Sequence, residues 1–277
     1  MKLGVCAFVT DRGPGICGLA RQVEDAGLES LFVCQNTHVP LSGASLLRED
    51  FHSADHRLAD PFVALGAAAA VTSGIRLGTA VCVAPIYDPI VLAMQVSTLD
   101  QVSSGRFMFG IGVGHDDTVA NHGVPAGLRY QVLREKVQAM KALWAGGNAE
   151  FHGEFVDFAP VLPGLRPRQE PHPPILIGSQ GARGIANTVE YGDGWMPIVY
   201  RGLDLGARMR ELERRCQAAG RPPAPVTAAL LDIDEPLLHE CAELGVERCV
   251  TAVRAQDDDD LRAFLERYAP LAGRFGD

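Results

Sequence analysis

The sequence predicts an α/β protein, a single (β/α)8 TIM barrel spanning residues 1–277. Strand-like and helix-like segments alternate from one end to the other, which implies a parallel sheet. The strand-like segments number eight, the count at which such units close on themselves. No composition shift, linker or internal repeat beyond this alternation divides the chain, and barrels of this kind run to roughly 250 residues as one domain. A doubly wound open sheet is the competing arrangement and fits a count of eight less well.

The first strand is "KLGVCAF" (2–8), followed by a helix over 15–26 that Gly27 closes at its C-terminal cap. "SLFVC" (30–34) is the second strand, and a long polar loop leads from it to a helix over 60–73. That helix opens on Asp-Pro, an N-cap followed by proline in the first turn, and the helix over 88–105 repeats the signal. Between them "IRLGTAVCVAP" (75–85) reads as a buried strand. "RFMFGIGVG" (106–114) is a strand that runs into glycines, and 127–146 has the apolar spacing of an amphipathic helix. "AEFHGEFVDF" (149–158) reads as a hairpin turning at His152-Gly153, an excursion from the main pattern. A proline-rich connection leads to "ILIG", a glycine-rich turn and a helix. "DGWMPIV", "VTAALLD" and "VERCVTAV" are the last three strands, with helices over 203–219, 235–244 and 258–268.

The composition narrows the function. With 47% hydrophobic and 21% charged residues the chain is globular, and its formal net charge of -9 argues against nucleic acid or an anionic membrane surface as partner. A small-molecule substrate is the expected ligand. The seven cysteines are odd in number and scattered, with no Cys-x-x-Cys pair, so reduced thiols in a cytoplasmic protein are expected. The apolar stretch at the N-terminus is cut short by Thr10, Asp11 and Arg12 and reads as a strand, not a signal peptide. The longest apolar run, "PFVALGAAAAV", is well short of the roughly 18 residues of a membrane span.

In a barrel the C-terminal strand ends face the active-site mouth, which gathers segments 34–38, 80–85, 112–117, 178–181 and 195–197. "GSQGARG" (178–184) joins a strand to a helix, where glycines admit a ligand close to the backbone and free N–H groups suit a phosphate. A plain tight turn explains the glycines equally well. Small residues at 78–80 leave room for a flat ring or simply fill a barrel interior. His115, Asp116 and Asp117 after "FGIGVG" fit a metal or substrate site less well than a solvated loop. His52 and His56, four apart in the long loop, have a metal-capable spacing without a third ligand at a fixed offset, so no metal is assigned. Cys6, Cys34 and Cys82 fall on the first three strands and are read as small core thiols.

Taken together, "SLFVCQNTHVP", the run from "DPFVALG" to "GIGVG", "AEFHGEFVDF" and "PPILIGSQGARGIANTVEYGDGWMP" resemble the bacterial luciferase-like family, in particular its deazaflavin-dependent branch. The resemblance runs in order from residue 1 to about 200 and more loosely beyond. It implies a (β/α)8 barrel that holds coenzyme F-420 (8-hydroxy-5-deazaflavin), or alternatively FMN, in its mouth and moves a hydride to or from it. Flavin members of the family also activate oxygen as monooxygenases. It places a non-proline cis peptide at Ala80-Val81, backing the ring. It gives Gly178, Ser179, Gln180 and Gly181 to the cofactor phosphate, and Gly112 and Gly114 to the pocket wall. It also implies a homodimer.

The sequence departs from this branch at one stretch. Where relatives commonly read Glu-His-Thr-His-Ile-Pro, this chain has Gln35 and Asn36. Neither side chain titrates near neutral pH, although both can hydrogen-bond a ring carbonyl or nitrogen. His38 remains, on the same side as Asn36 if the strand geometry persists. The expected function is therefore an oxidoreductase transferring hydride between the deazaflavin or a flavin and a small organic substrate, with His38 and Asn36 as the catalytic candidates and Gln35 and Asn36 at the cofactor. A cofactor-binding barrel without turnover is the alternative. A metal-dependent hydrolase using His38, His52, His56 or His115 is a third.

Overall fold

A computed structural model describes residues 1–40 and 57–275. Eight parallel staves form a barrel. The first three are β1 (Lys2–Ala7), β2 (Ser30–Val33) and a stave split into β3 (Arg76–Thr79) and β4 (Cys82–Val83). The fourth is β5 (Phe107–Gly112), after which the antiparallel hairpin of β6 (Ala149–His152) and β7 (Asp157–Val161) leaves the barrel. The chain returns through β8 (Ile175–Ile177), a second split stave of β9 (Gly194–Trp195) and β10 (Ile198–Val199), then β11 (Thr227–Leu230) and β12 (Arg248–Val253). Neighbours pair in parallel in the order β10, β11, β12, β1, β2, β3, β5, β8, β9. Because β9 and β10 are two halves of one stave, this path is a closed ring. β9 pairs with β8, Trp195 bridges Val226 and Ile198 pairs with Ala229 across the seam. The staves are buried on both faces, which is why they read as apolar runs without alternation.

Nine helices among the described residues surround or flank the staves: α1 (Ile16–Asp25), α2 (Pro61–Val71), α3 (Pro89–Val102), α4 (Asp116–Ala120), α5 (Arg129–Trp144), α6 (Ala182–Tyr191), α7 (Leu205–Ala218), α8 (Glu235–Glu243) and α9 (Asp258–Phe275). The two Asp-Pro signals act as expected. One Asp60 carboxylate oxygen accepts from the N–H groups of Phe62 and Val63 at 3.0 Å, and Asp88 does the same for Ile90 and Val91. Two elements differ from expectation. The short α4 is an additional turn beyond the glycines, and α9 continues through Pro270 to Phe275. It continues because Leu261, Leu265, Tyr268, Leu271 and Phe275 keep one buried apolar face across the proline. No described helix is long and apolar enough to cross a membrane.

At the N-terminal end of the barrel Arg248, 2% exposed, forms a two-pronged pair with Glu29 at 2.6 and 2.7 Å. Burial alone pushes the Glu29 carboxyl up, but the hydrogen bonds and charge of Arg248 outweigh it and hold it below its ordinary value of 4.5. Removing one partner of a buried pair strands the other. Arg248→Leu is therefore expected to cost about 3–5 kcal/mol, read from the urea midpoint at neutral pH. The lowered carboxyl contributes stability above its unfolded-state value and loses it as pH falls through the folded one. The gap between wild type and variant should thus narrow in acid, and a gap that stays constant would mean that the pair is not its source.

Candidate functional site

A cavity of about 390 Å³ opens at the C-terminal ends of the staves, within the roughly 300–1,000 Å³ of small-molecule sites. β1 contributes Cys6 and, just past its end, Phe8; Cys34 follows β2, and Ala80 and Val81 lie between β3 and β4. Gly178, Ser179 and Gln180 follow β8, Met196 and Ile198 come from the split stave, and Arg254 follows β12. The wall is mostly apolar. Its cation, Arg254, lies over the Phe8 ring with the guanidinium carbon 4.7 Å from the ring centroid.

The wall at Ala80-Val81 is a bulge with a fitted seat. The peptide bond between these residues is cis, as the resemblance implies, and the stave resumes at Cys82, which pairs with Ile111. Alternate residues of "FGIGVG" face alternate residues of the bulging chain. A Cβ on Gly110 would run into the Thr79 carbonyl, one on Gly112 would lie 2.5 Å from Val81 Cγ2, and one on Gly114 would lie 2.6 Å from Val83 Cγ1. From the other side, a Cβ on Gly178 would lie 2.5 Å from Val81 Cγ1. Gly112 and Gly114, expected along the pocket wall, thus stand behind it and make room for the valines. Gly78, read as leaving room for a flat ring or filling a barrel interior, makes room inside the barrel for the ring of Phe32.

The polar stretch after β2 divides into three roles. Gln35 is consumed by the bulge: its Oε1 accepts from the Val83 N–H at 2.6 Å and its Nε2 donates to the Tyr87 hydroxyl. Burial pushes the ionisation of that hydroxyl far up, so it stays a phenol. Lys136 of α5 completes the clamp by donating to the carbonyls of Pro85 and Tyr87 at 2.6 and 2.5 Å. Asn36 carries a buried side-chain nitrogen with no hydrogen-bond partner among the described residues. His38 does not line the cavity. Its Nδ1 is 2.9 Å from the Thr37 hydroxyl and its Nε2 is 2.8 Å from the Asn121 side-chain nitrogen. The same hydroxyl is 2.9 Å from His122 Nε2, and burial followed by the proximity of His38 lowers the His122 pKa.

The turn after β8 brings Gly178, Ser179 and Gln180 to the cavity, while Gly181 is the N-cap of α6. Trp195 Nε1 donates to the Ser179 carbonyl at 2.7 Å and holds the turn against the split stave. The remaining candidates lie elsewhere. Asp116 pairs with Arg129, Asp117 accepts from the Thr118 N–H, and His115 is exposed. Three arginines outside the lining are engaged: Arg57 pairs with Asp11, Arg183 lies over Tyr130 and Arg201 pairs with Asp234. Arg48, His52 and His56 lie outside the described residues. Sequence reasoning missed Phe8, Arg254, Tyr87 and His122. The first two stand immediately past strand ends, the position that marks a mouth residue; nothing in the sequence marks the others.

A family model described as luciferase-like monooxygenase matches residues 9–231. An uncharacterized protein of Mycobacterium tuberculosis is 38% identical over 282 residues, covering 97% of this chain and 98% of its own. The F-420-dependent glucose-6-phosphate dehydrogenase of Kineococcus radiotolerans is 27% identical over 245 residues, covering 85% of this chain and 69% of its own. Among solved structures, an F-420-dependent secondary alcohol dehydrogenase in complex with an F-420-acetone adduct superposes with a TM-score of 0.79. That superposition covers 100% of this chain and 99% of the other at 16% identity, a likeness of fold.

The seat of Val81 is open to a double-mutant test. Gly112→Ala is expected to cost about 1–3 kcal/mol through overpacking. Val81→Ala in the same chain should recover much of that loss, giving a coupling that denaturant midpoints of the four proteins measure. Strict additivity of the two changes would show that these side chains do not compete for space.

Proposed function

Because the chain belongs to the luciferase-like monooxygenase family, we propose that its cavity binds coenzyme F-420, with FMN as the alternative, and that the protein is an oxidoreductase acting on a small organic substrate. The observation that carries this reading is the buried, unpartnered nitrogen of Asn36, two residues past Cys34 in the wall of a cavity backed by the Ala80-Val81 bulge. A buried donor without an acceptor costs free energy unless something supplies one, and a ring carbonyl would. The turn at 178–181, leading into the N-terminus of α6, suits the cofactor phosphate. The chemistry supplied there is hydride transfer to or from the deazaflavin ring.

This chain's own residues bind and orient. Val81 presents an apolar wall, and Asn36 is proposed to donate from Nδ2. Gln35 acts on neither ring nor substrate; it holds the bulge. No carboxylate or imidazole lines the cavity among the described residues, so a proton needed by the substrate comes from water or from a group outside the lining, such as His38. The same feature favours the second reading, a cofactor-binding barrel without turnover.

Fluorescence titration with coenzyme F-420 and, separately, with FMN tests the binding, and saturation by F-420 alone is expected. Asn36→Ala should weaken it by about 1 kcal/mol, roughly fivefold in Kd. Asn36→His separates the two readings, because a gain in turnover of about 10²-fold without a gain in affinity marks a barrel that lacked only its acid or base. Saturation by neither ring system would remove the oxidoreductase reading.

We propose further that the chain pairs with a second copy through α2 and α3. α2 is built of apolar residues, and the exposed positions of α3 are apolar apart from Thr98. Val63 is 75% exposed and Met94 54%, with Ile90, Val91 and Val102 also exposed beside them. The exposed positions of these helices carry no charge, so two copies of a chain of net charge -9 can meet there without repulsion. Sedimentation is expected to give a dimer and Met94→Glu a monomer; a monomeric wild type would sink the idea.

A further inference from the structure

Of the three cysteines placed on the first three strands, two meet. Cys6 and Cys34 bring their sulfurs to 3.2 Å across the adjacent staves β1 and β2, and both thiols line the cavity. Cys82 is fully buried and packs in the main core beyond the bulge, outside the cluster that holds the other two. A second pair, Cys241 and Cys249, is buried between α8 and β12, and neither of its thiols lines the cavity. The chain thus holds one thiol pair open to a solvent-connected space and one shut away from it.

We propose that Cys6 and Cys34 form a redox-active dithiol in the wall of the cavity, a site of reversible two-electron oxidation by a peroxide that enters through the mouth. One thiol attacks the peroxide, its sulfur gains an oxygen and water leaves. The second thiol then attacks that sulfur, the sulfur–oxygen bond breaks and a second water leaves. Two thiols and one hydrogen peroxide give one disulfide and two waters, the electron pair passing from the sulfurs to the peroxide oxygens. To bond, the sulfurs must close from 3.2 Å to about 2.05 Å, a movement along the line on which they already face. Contact with Cys6 and burial push the Cys34 thiol up, against the opposing pull of Arg254. The reacting species is the thiolate, so the oxidation should quicken as pH rises. The site does not depend on which cofactor the cavity binds, and it is testable in the ligand-free protein.

The experiment treats the purified full-length chain, free of reductant, with hydrogen peroxide at mildly alkaline pH, then alkylates and maps the peptides. The expected result is loss of two of the seven thiols, a Cys6–Cys34 linked peptide, and recovery of both thiols on reduction. Cys241 and Cys249 should stay alkylatable only after unfolding and unlinked. Cys34→Ser should abolish the link and leave Cys6 as a thiol. Seven intact thiols would overturn the proposal. So would Cys34 oxidised to the sulfinic acid beside an unreacted Cys6, or a Cys241–Cys249 link that forms first.

Discussion

Val81 has room only because Gly112 and Gly178 lack side chains, and this constraint of shape fixes where the wall of the cavity stands. The stave from 76 to 83 cannot run straight, since β3 ends at Thr79 and β4 begins at Cys82 with the bulge between them. β5 answers the bulge with a glycine opposite each of Thr79, Val81 and Val83. β8 answers from the other side with Gly178, the residue that also begins the turn toward α6. The wall and the turn after β8 are therefore set by one packing solution.

The bulge is also tied by hydrogen bonds from two directions. Gln35 reaches it from the loop after β2, and Lys136 reaches the turn beyond it from α5. The neighbouring Glu135, itself buried, accepts from the N–H groups of Glu154, Phe155 and Val156 and so fastens the hairpin to the same helix. Each ionic group spends its bonding capacity on backbone atoms. Charged groups used this way fix geometry, because the partners they satisfy are themselves fixed by the chain.

The fold was legible because its signals are periodic and local. Eight apolar runs, two Asp-Pro caps and a hairpin between glycines each need only neighbouring residues to be read. The site was legible in position but not in role. The segment 80–81 and the turn 178–180 were placed at the mouth and are found there. At Gly112 and Gly114 a sequence shows that a side chain is missing but not whose volume fills the gap, which is that of Val81 and Val83. Gln35 was read as facing the cofactor, yet its partners Val83 and Tyr87 lie about fifty residues away in the chain. Arg254 and Phe8 went unnoticed because each belongs to no motif; only closure of the barrel sets β12 beside β1 and brings them together.

Closure also decides what an amide at position 35 can do. An amide at Gln35 donates and accepts at once, so it satisfies both Val83 and Tyr87 without burying a charge. A carboxylate there would bring a negative charge to a mouth whose wall carries a cation at Arg254. With Gln35 and Asn36 neutral, neither side chain adds a charge to the mouth. Gln35 therefore ties the bulge to the mouth without adding a charge.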